Sequence, residues 1–452
     1  MTCYAVILPG VSLRGFFIGL EEKNVLTYRF HLPREKSFLA VHLTAHELQL
    51  LERIVPHRTV TSGFIHKHYR ITGRKMSAIS HRLAKLVEGG VLYRTTLVHQ
   101  PPGKSKYYYR IHTRGFEVLQ KNGFLTDTEA EFYIRNQHRF NKAPTHHNAA
   151  LADLVQDVEQ EVAHRESSFE AWGVTSRRGD FHASFNSAPL IPDWCLENRK
   201  TIFAIELDTS SQSSQVIADK ARRYSAFASQ LQKELVVLFV CVDLEKADGG
   251  ERIRRIASLK ANMPPNQEWS ANVEFFVFNR SQAINHLVQR LNGPKEVEGD
   301  MVDQWFQGSK QCLGEEMVFE KSTHAVFDSL LQKGSSGLNY VTKIGRPNEL
   351  PQFAGILPVT EGSVKSFQQV EAALEGIRKW NEILNGRVKL NLLLVYQEER
   401  EMTEDVFGFA SPYTFFAISL DLLRLKKGSG TYPLLLERKT AFTSEMARPP
   451  WE

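Results

Sequence analysis

The sequence predicts an α/β protein of several domains. Three observations support this: the length, a change of hydrophobic period along the chain, and apolar runs that alternate with amphipathic segments. The chain has 452 residues, enough for two or three domains of ordinary size. Hydrophobic residues make up 42% and charged residues 24%, as in soluble globular proteins. The continuous apolar run 235–242 is typical of a strand covered on both faces of a parallel sheet.

Charge, cysteine spacing and the length of the apolar runs limit the classes of protein to which this chain can belong. The formal net charge is +5 and the pI about 8.8, which is too small an excess to identify a nucleic-acid partner by itself. The four cysteines lie far apart without a CxxC pair, which argues against a disulfide framework and a zinc finger. No basic leader precedes the first apolar run, and the longest apolar stretches are strand-sized. We therefore expect a cytoplasmic protein with no membrane partner.

The N-terminal part begins with short apolar runs and then takes on a helical period. Residues 1–40 predict a strand-rich arm without an assigned role. Thr44, followed three residues later by Glu47, predicts a capping box at the start of a first helix. Thr59 or Thr61 predicts the cap of a second, short helix.

A third helix, about 74–88, is followed by strand-like runs at 91–98 and 106–111 that a Pro/Gly-rich basic loop joins. Three helices and such a hairpin are the plan of a winged helix-turn-helix, which we predict over residues 41–125. The third helix of this module enters the major groove of duplex DNA. The candidate DNA-binding residues are Arg74, Lys75, Ser77, His81, Arg82, Lys85, Lys104 and Lys106.

Two alternatives stay open for these basic residues. Charges on one helix are usually a solvated surface, and winged helices also mediate protein contacts. Polar, small and basic residues stand where bases would be read, and Lys104 and Lys106 add charge from the loop. This distribution favours double-stranded DNA as the partner.

A second domain is predicted over residues 146–293, after a helical linker at 126–145. Its order is helix, three strands, helix, strand, helix, strand, with the first strand expected at 169–174. Asp193 precedes one predicted strand, and Glu206 lies near the end of the next. Adjacent strands would bring these acids to one point, where they repel each other unless a cation lies between them. Hard oxygen ligands of this kind suit Mg²⁺.

This order of elements resembles the PD-(D/E)xK nuclease fold, the restriction-endonuclease-like core. Pro192-Asp193 matches the PD element, and Glu206 matches the second acid. Gln215 and Tyr224 are similar to the Gln and Tyr of the RecB-like branch. The resemblance implies that Asp193 and Glu206 hold Mg²⁺ or Mn²⁺ for hydrolysis of a phosphodiester. The supporting residues of this predicted site are Gln215, Tyr224 and Glu159.

The sequence departs from the nuclease pattern at Asp208, where the family has lysine. Lys220 on the next helix is the candidate to replace it, which gives Asp193, Glu206, Asp208 and Lys220 as the catalytic set. If Lys220 does not reach the site, the site binds metal without cleavage or is degenerate. Glu206 and Asp208 share one face of their strand, as two solvated acids at a strand end also would.

Histidines beside this motif carry weaker signals. His146 and His147 are ligand or general-base candidates, although a pair at a helix start is more often capping or surface chemistry. Asp180 and His182 precede the PD element and are weak candidates to line the site.

The last third, residues 300–452, predicts a C-terminal α/β or α+β domain, with a helix at 324–332 and a closing hairpin formed by 415–425 and 432–436. Its helix and strand pattern suits either a diverged repeat of the second domain or a module for self-association or a protein partner. Glu437-Arg438-Lys439 is formally an ExK, which chance explains better, because no PD element precedes it at the right distance. Nucleotide-binding and catalytic-triad motifs are absent from the sequence.

A winged helix followed by this domain also resembles the replication-relaxation proteins of plasmids and conjugative elements. The resemblance rests on the run Phe-Ala-Ile-Glu-Leu-Asp at 203–208 before a helix that carries Lys and Tyr. It implies a DNA-binding protein of a bacterial mobile element or phage-defence locus, with a metal-dependent endodeoxyribonuclease-like domain. The alternative is a non-catalytic winged-helix accessory factor of replication or transcription, with a degenerate nuclease fold. Asp208 favours the accessory factor, and the retained acids favour the enzyme.

Overall fold

A computed structural model gives the fold of the chain. It describes residues 29–32, 38–70, 75–96, 107–142, 145–165, 175–185, 188, 190–209, 212–242, 249–292, 300–313, 318–323, 340–345, 352–383, 390–407, 415–429, 431–438 and 444–450. The chain divides into two compact units, Met1–Thr145 and His146–Glu452. Helices and mixed sheets confirm the predicted α/β multidomain class. In the described part of the chain, no helix combines the length and the apolar character needed to cross a membrane.

The first unit contains helices and short antiparallel strands. Its elements are β1 (Arg29–Leu32), β2 (Val41–Thr44), α1 (Ala45–His57), β3 (Val60–Thr61), α2 (Ser62–Arg70), α3 (Met76–Glu88), β4 (Leu92–Thr96), β5 (Tyr107–Ile111), α4 (Thr113–Lys121) and α5 (Asp127–Lys142). Among the described residues, β1 pairs with β2, and β3, β5 and β4 form a three-stranded sheet in that order. The stretch predicted as a linker is therefore largely helix α5.

Local sequence signals set the helix ends in this unit. Thr44 Oγ1 accepts a hydrogen bond from the Glu47 backbone at 3.3 Å, and Glu47 Oε2 accepts one from the Thr44 backbone at 2.9 Å. The predicted capping box is therefore confirmed. Thr61 caps α2 by accepting a bond from the Phe64 backbone at 3.0 Å. After α3, Gly90 adopts φ +68°, a conformation that favours glycine.

The second unit begins with a five-stranded mixed sheet, formed by described strands in the order β10-β9-β8-β7-β6. The elements are α6 (Thr145–Arg165), β6 (Thr175–Arg177), β7 (Trp194–Glu197), β8 (Thr201–Asp208), α7 (Ser214–Ala228), β9 (Glu234–Cys241), α8 (Gly249–Asn262), β10 (Val273–Asn279) and α9 (Arg280–Leu291). Pairing is antiparallel from β6 to β8 and parallel from β8 to β10. A strand expected at 169–174 lies outside the described residues.

Strands β8 and β9 lie at the centre of this sheet and are covered on both faces. Helices α7 and α8 pack on one face, and α6 and α9 pack on the other. This double cover explains the continuous apolar run of β9, because each face of a central parallel strand meets helices.

A seven-stranded mixed sheet follows, again counted over described strands, in the order β11 to β17. The elements are α10 (Met301–Leu313), β11 (Val318–Thr323), β12 (Tyr340–Gly345), β13 (Gln352–Pro358), α11 (Val364–Ile383), β14 (Leu390–Tyr396), α12 (Glu399–Glu404), β15 (Phe415–Ser419), α13 (Leu420–Leu425), β16 (Leu435–Arg438) and β17 (Ser444–Ala447). Pairing is parallel from β13 to β15 and antiparallel elsewhere.

One sequence prediction in this region was wrong in part. The runs 415–425 and 432–436 were predicted as a hairpin, and β15 does pair antiparallel with β16, but the first strand ends at Ser419 and a helix follows. Ser419 Oγ accepts a hydrogen bond from the Leu422 backbone at 3.3 Å and so caps α13. A helix expected at 324–332 lies outside the described residues.

Candidate functional site

The register of β7 and β8 brings two acids together. Trp194 lies opposite Ile205, so Asp193, which precedes β7, lies opposite Glu206. Asp193 Oδ2 also accepts a hydrogen bond from the Leu207 backbone at 2.9 Å, which fixes its carboxylate against β8. The Glu206 residue is 4% exposed, whereas the Asp193 side chain is 24% exposed. The pair therefore lies at the edge of the core, with Asp193 nearer to solvent.

Helix α7 supplies the partners of Glu206. Lys220 and Tyr224 are four residues apart, which places them on the same face of the helix. Lys220 Nζ lies 2.8 Å from Glu206 Oε2, and the Tyr224 hydroxyl donates to Glu206 Oε1 at 2.6 Å. Both oxygens of Glu206 are thus engaged by protein donors. We refer to Asp193, Glu206, Lys220 and Tyr224 as the acid–lysine cluster.

Burial and charge shift the protonation of this cluster. Burial raises the pKa of Glu206, and the negative charge of Asp193 raises it further. The Lys220 ammonium and the Tyr224 hydroxyl act in the opposite direction without reversing the shift. The pKa of Tyr224 is well above its ordinary value, because the ring is buried and Glu206 is adjacent. Tyr224 therefore stays protonated and acts as a hydrogen-bond donor.

His147 of α6 is the partner of Asp193. Its Nε2 lies 3.2 Å from Asp193 Oδ2 and 3.2 Å from the Leu207 carbonyl oxygen. Burial opposes charge on both groups, but their mutual contact outweighs it: the pKa of Asp193 is lowered and that of His147 is raised. The sequence favoured a capping or surface role for this histidine. The structure places it against the candidate site.

Asp208 has a different environment from Glu206. Arg255 of α8 binds it through two hydrogen bonds, of 2.7 and 3.0 Å, and also donates to the Gln212 carbonyl at 2.6 Å. The Asp208 side chain is only 2% exposed. Through Arg255, the carboxylate at the position of the family lysine thus holds α8 and the end of the β8–α7 loop to β8. Arg255 was not predicted, since nothing in its helix distinguishes it from a surface arginine.

The metal implied by the resemblance to nucleases can be tested against these contacts. Within the described residues, no group of three or more His, Cys, Asp or Glu side chains is placed to hold a metal ion. Lys220 and Tyr224 take both oxygens of Glu206, and Arg255 takes both of Asp208. The residues in this arrangement do not fit a divalent cation. A protein ammonium supplies the positive charge instead.

The remaining candidates of the second unit have other partners or positions. Gln215 is exposed and bonds to Asp219 on its own helix at 3.2 Å. Glu159 is on α6, about 18 Å along the helix axis from His147. Asp180 pairs with Arg178 at 3.3 Å, and the buried His182 bonds to Glu197 at 2.8 Å.

In the first unit, the predicted DNA-binding residues separate into three groups. Lys75, Ser77, His81 and Lys85 are exposed at the start of α3 and along it. Arg82 instead binds the buried Glu47 of α1, with bonds of 2.6 and 2.8 Å, and also donates to the His42 carbonyl. Arg82 therefore ties α3 to α1. Arg74, Lys104 and Lys106 lie outside the described residues.

The hairpin adds side chains that the sequence did not single out. Arg94 of β4 is exposed and lies over the Tyr107 ring of β5, 4.7 Å from its centroid. Tyr107 is 39% exposed, and Tyr93 is 50% exposed. Arg94 and Tyr107 lie on the same face of the sheet formed by β4 and β5. Because side chains alternate along a strand, this shared face could have been predicted from the sequence. We call Lys75, Ser77, His81, Lys85, Arg94 and Tyr107 the basic surface.

Comparison with known families adds one finding to this geometry. Residues 51–236 match the model of the replication-relaxation family. The match begins within α1 and ends within β9, so it includes the basic surface and the acid–lysine cluster. It spans less than half of the 452 residues and leaves out the seven-stranded sheet. The family description suggests a role in replication or relaxation. No curated protein and no solved structure matches the chain.

Proposed function

We propose that this protein binds duplex DNA through its basic surface and acts as an accessory factor in the replication or relaxation of a plasmid or other mobile element. The observation that carries the proposal is the exposed side of α3. Two lysines, a histidine and a serine are exposed there, after two helices and before a hairpin. The family match over residues 51–236 supports the same role.

The order of elements in the first unit supports a winged helix. Helices α1, α2 and α3 precede the β4–β5 hairpin, and β3 pairs with β5 to complete a small sheet. On such a fold α3 is the helix that enters the major groove, and the hairpin contacts the backbone. Lys75, Lys85 and Arg94 then meet phosphates, while Ser77 and His81 lie closer to the bases.

Salt dependence of DNA binding tests this proposal. Each lysine that contacts a phosphate contributes about 0.9 to the slope of log affinity against log salt. The double variant Lys75→Ala/Lys85→Ala should therefore bind duplex DNA more weakly and lower that slope by about 2. Fluorescence anisotropy with a labelled duplex between low and moderate salt measures both quantities.

The matched control is Lys121→Ala, which removes an exposed lysine from α4 instead. It should leave the slope unchanged. An equal slope for the wild type and the double variant removes the assignment of α3 to the groove. Absence of duplex binding by the wild type removes the proposed function altogether.

For the second unit we propose a PD-(D/E)xK-like core without catalytic activity. The order of α6 to α9 and the strand directions support this fold, and the engaged carboxylates of Glu206 and Asp208 support the loss of activity. The acid–lysine cluster then stabilises the junction of β7, β8 and α7. The α/β core then serves as a scaffold.

A second candidate function is a Mg²⁺- or Mn²⁺-dependent endodeoxyribonuclease. One observation favours it: Asp193, Glu206 and Lys220, three residues of the predicted catalytic set, lie together. Supercoiled plasmid incubated with protein and Mg²⁺ or Mn²⁺ separates the two candidates. Nicking by the wild type and by Asp219→Asn, a half-exposed acid of α7, but not by Asp193→Asn, supports the enzyme. Equal inertness of all three proteins supports the accessory factor.

A further inference from the structure

The two sheets of the second unit are built to the same plan. Among the described helices and strands of residues 145–291 the order is helix, three strands, helix, strand, helix, strand, helix, from α6 to α9. The described helices and strands of residues 301–425, from α10 to α13, follow the same order. In both, the first three strands pair antiparallel and the last three pair parallel. The hairpin β16–β17 is an addition at the end of the second sheet.

The helices also lie on corresponding faces. In the first sheet α7 and α8 share one apolar core, and α6 and α9 share the other. In the second sheet α11 and α12 share one core, and α10 and α13 share the other. Agreement in order, strand direction and helix placement is more than the right-handed crossover rule alone imposes.

Residues 301–425 have apolar residues at the positions that correspond to the acid–lysine cluster of residues 145–291. Glu206 and Asp208 are the last β8 positions on the α7 side, and the last β13 positions on the α11 side are Gly355 and Leu357, both buried. Lys220 and Tyr224 follow the cap Ser213 by seven and eleven residues. The same steps from Ser363, which precedes α11, reach two further buried residues, Val370 and Leu374.

Direct contacts join the two plans. Phe276 of the edge strand β10 forms an antiparallel bridge with Ser363, and the Val277 amide donates to the Gly362 carbonyl at 2.9 Å. Lys260 of α8, 1% exposed, bonds to Asp405 and to the Val406 carbonyl, each at 2.9 Å. The segment 362–363 therefore covers the edge of β10 that would otherwise be open to pairing.

We propose that residues 300–425 are a duplicated copy of the fold at 145–292, one that has lost the acid–lysine cluster and persists as a permanent partner within the chain. This copy takes the place that a second subunit would have on the β10 edge. The β10 edge is then closed to a second molecule, so the protein is a monomer with one acid–lysine cluster. The inference does not depend on the proposed function.

Gly362 offers a sharp test in the full-length protein. Its φ is +71°, and a Cβ at this position would overlap the Phe278 ring of the first copy. Gly428 has nearly the same φ, +73°, but open space around its Cβ. Gly362→Ala and Gly428→Ala thus impose the same backbone strain, while only the first drives the two copies apart.

Hydrogen exchange and solution mass report the result. In the wild type and in Gly428→Ala we expect a monomer with a protected Val277 amide. In Gly362→Ala we expect that amide to exchange faster by roughly a hundredfold and the protein to self-associate with rising concentration. A wild type that dimerises, or a Val277 amide equally protected in both variants, overturns the proposal. A cysteine pair at Phe276→Cys and Ser363→Cys gives a second measurement: it should close an intramolecular disulfide, and a disulfide-linked dimer contradicts the inference.

Discussion

Lys220 Nζ lies 2.8 Å from Glu206 Oε2, at the point where α7 passes the end of β8. The Glu206 side chain is 5% exposed and has a second carboxylate, Asp193, beside it. Lys220 is therefore the counter-charge of an almost buried acid.

Loss of Lys220 should destabilise the second unit. In Lys220→Met, Glu206 remains next to Asp193 without a cation, and we expect the free energy of unfolding to fall by about 3 kcal/mol. Adding Glu206→Gln should restore much of it, because the unpaired charge is removed. Urea denaturation measures both changes. Arg223→Met, an exposed cation on the same helix, is the control and should change the free energy by less than about 0.5 kcal/mol.

The His147–Asp193 contact predicts a defined pH dependence. The pKa of His147 is raised in the folded protein, so its contribution is present below its ordinary value of 6.5 and is lost as the pH rises through the folded value. The pKa of Asp193 is lowered, so its contribution is present above 3.8 and is lost as the pH falls through the folded value. His147→Gln should therefore cost most near pH 5.5, about 1.5 kcal/mol, and less near pH 8.5. His146→Gln is the control. A cost that does not vary with pH contradicts the assignment.

Arg82 and Lys85 are three residues apart on α3, and they should respond differently to substitution. Arg82→Ala leaves Glu47, 1% exposed, without its cation, and should lower the free energy of unfolding by about 3 kcal/mol. Lys85→Ala should leave stability within about 0.5 kcal/mol and act only on DNA affinity. Thermal unfolding beside anisotropy separates the two effects. If Arg82→Ala is as stable as Lys85→Ala, the structural role of Arg82 is wrong.

Glu361 should make the second unit less stable as the pH rises. Burial raises its pKa to about 7, and the neighbouring acids Asp405 and Glu401 add to the shift against the opposing Arg400 and Gln282. A carboxyl whose folded pKa is raised binds protons more tightly when folded, so its contribution is present below 4.5 and is lost as the pH rises through 7.

The variant Glu361→Gln isolates this effect. It keeps the hydrogen-bonding shape and removes the titration, so it should be more stable than the wild type at pH 8, by about 2 kcal/mol, and similar at pH 5. Urea unfolding at the two pH values provides the comparison. Glu401 also has a raised pKa, about 7, so the wild-type slope between these pH values should shrink in Glu361→Gln without vanishing.

Local features of this fold could be predicted from the sequence, because they depend on neighbouring residues. The Thr44–Glu47 box and the apolar run of β9 involve residues close in sequence, and the structure has both. The prediction of a strand at 420–425 was wrong because a short apolar run suits a strand and a buried helix equally well. Its N-cap, Ser419, was the signal that could have separated the two.

Long-range contacts of the site could not be predicted in this way. His147 and Leu207 are 60 residues apart, and Asp208 and Arg255 are 47 apart. Periodicity shows which face of an element is buried, but it does not show which charged side chain on another element will meet it. The proximity of Asp193 and Glu206 could be predicted because each residue lies at the end of a predicted strand. Lys220 was predicted from its place on the next helix, whereas His147 comes from a helix whose rotation the sequence left open.

The buried contact between Lys260 and Asp405 determines where this polypeptide can be divided. A recombinant fragment that stops near residue 293 keeps the lysine and discards its aspartate, together with Val364 and Val406, which complete the apolar core on the α7 and α8 side of the first sheet. Such a fragment should be recovered mainly as inclusion bodies. A cut between Thr145 and His146 spares this ion pair, and crystallisation of the pieces should begin from that division.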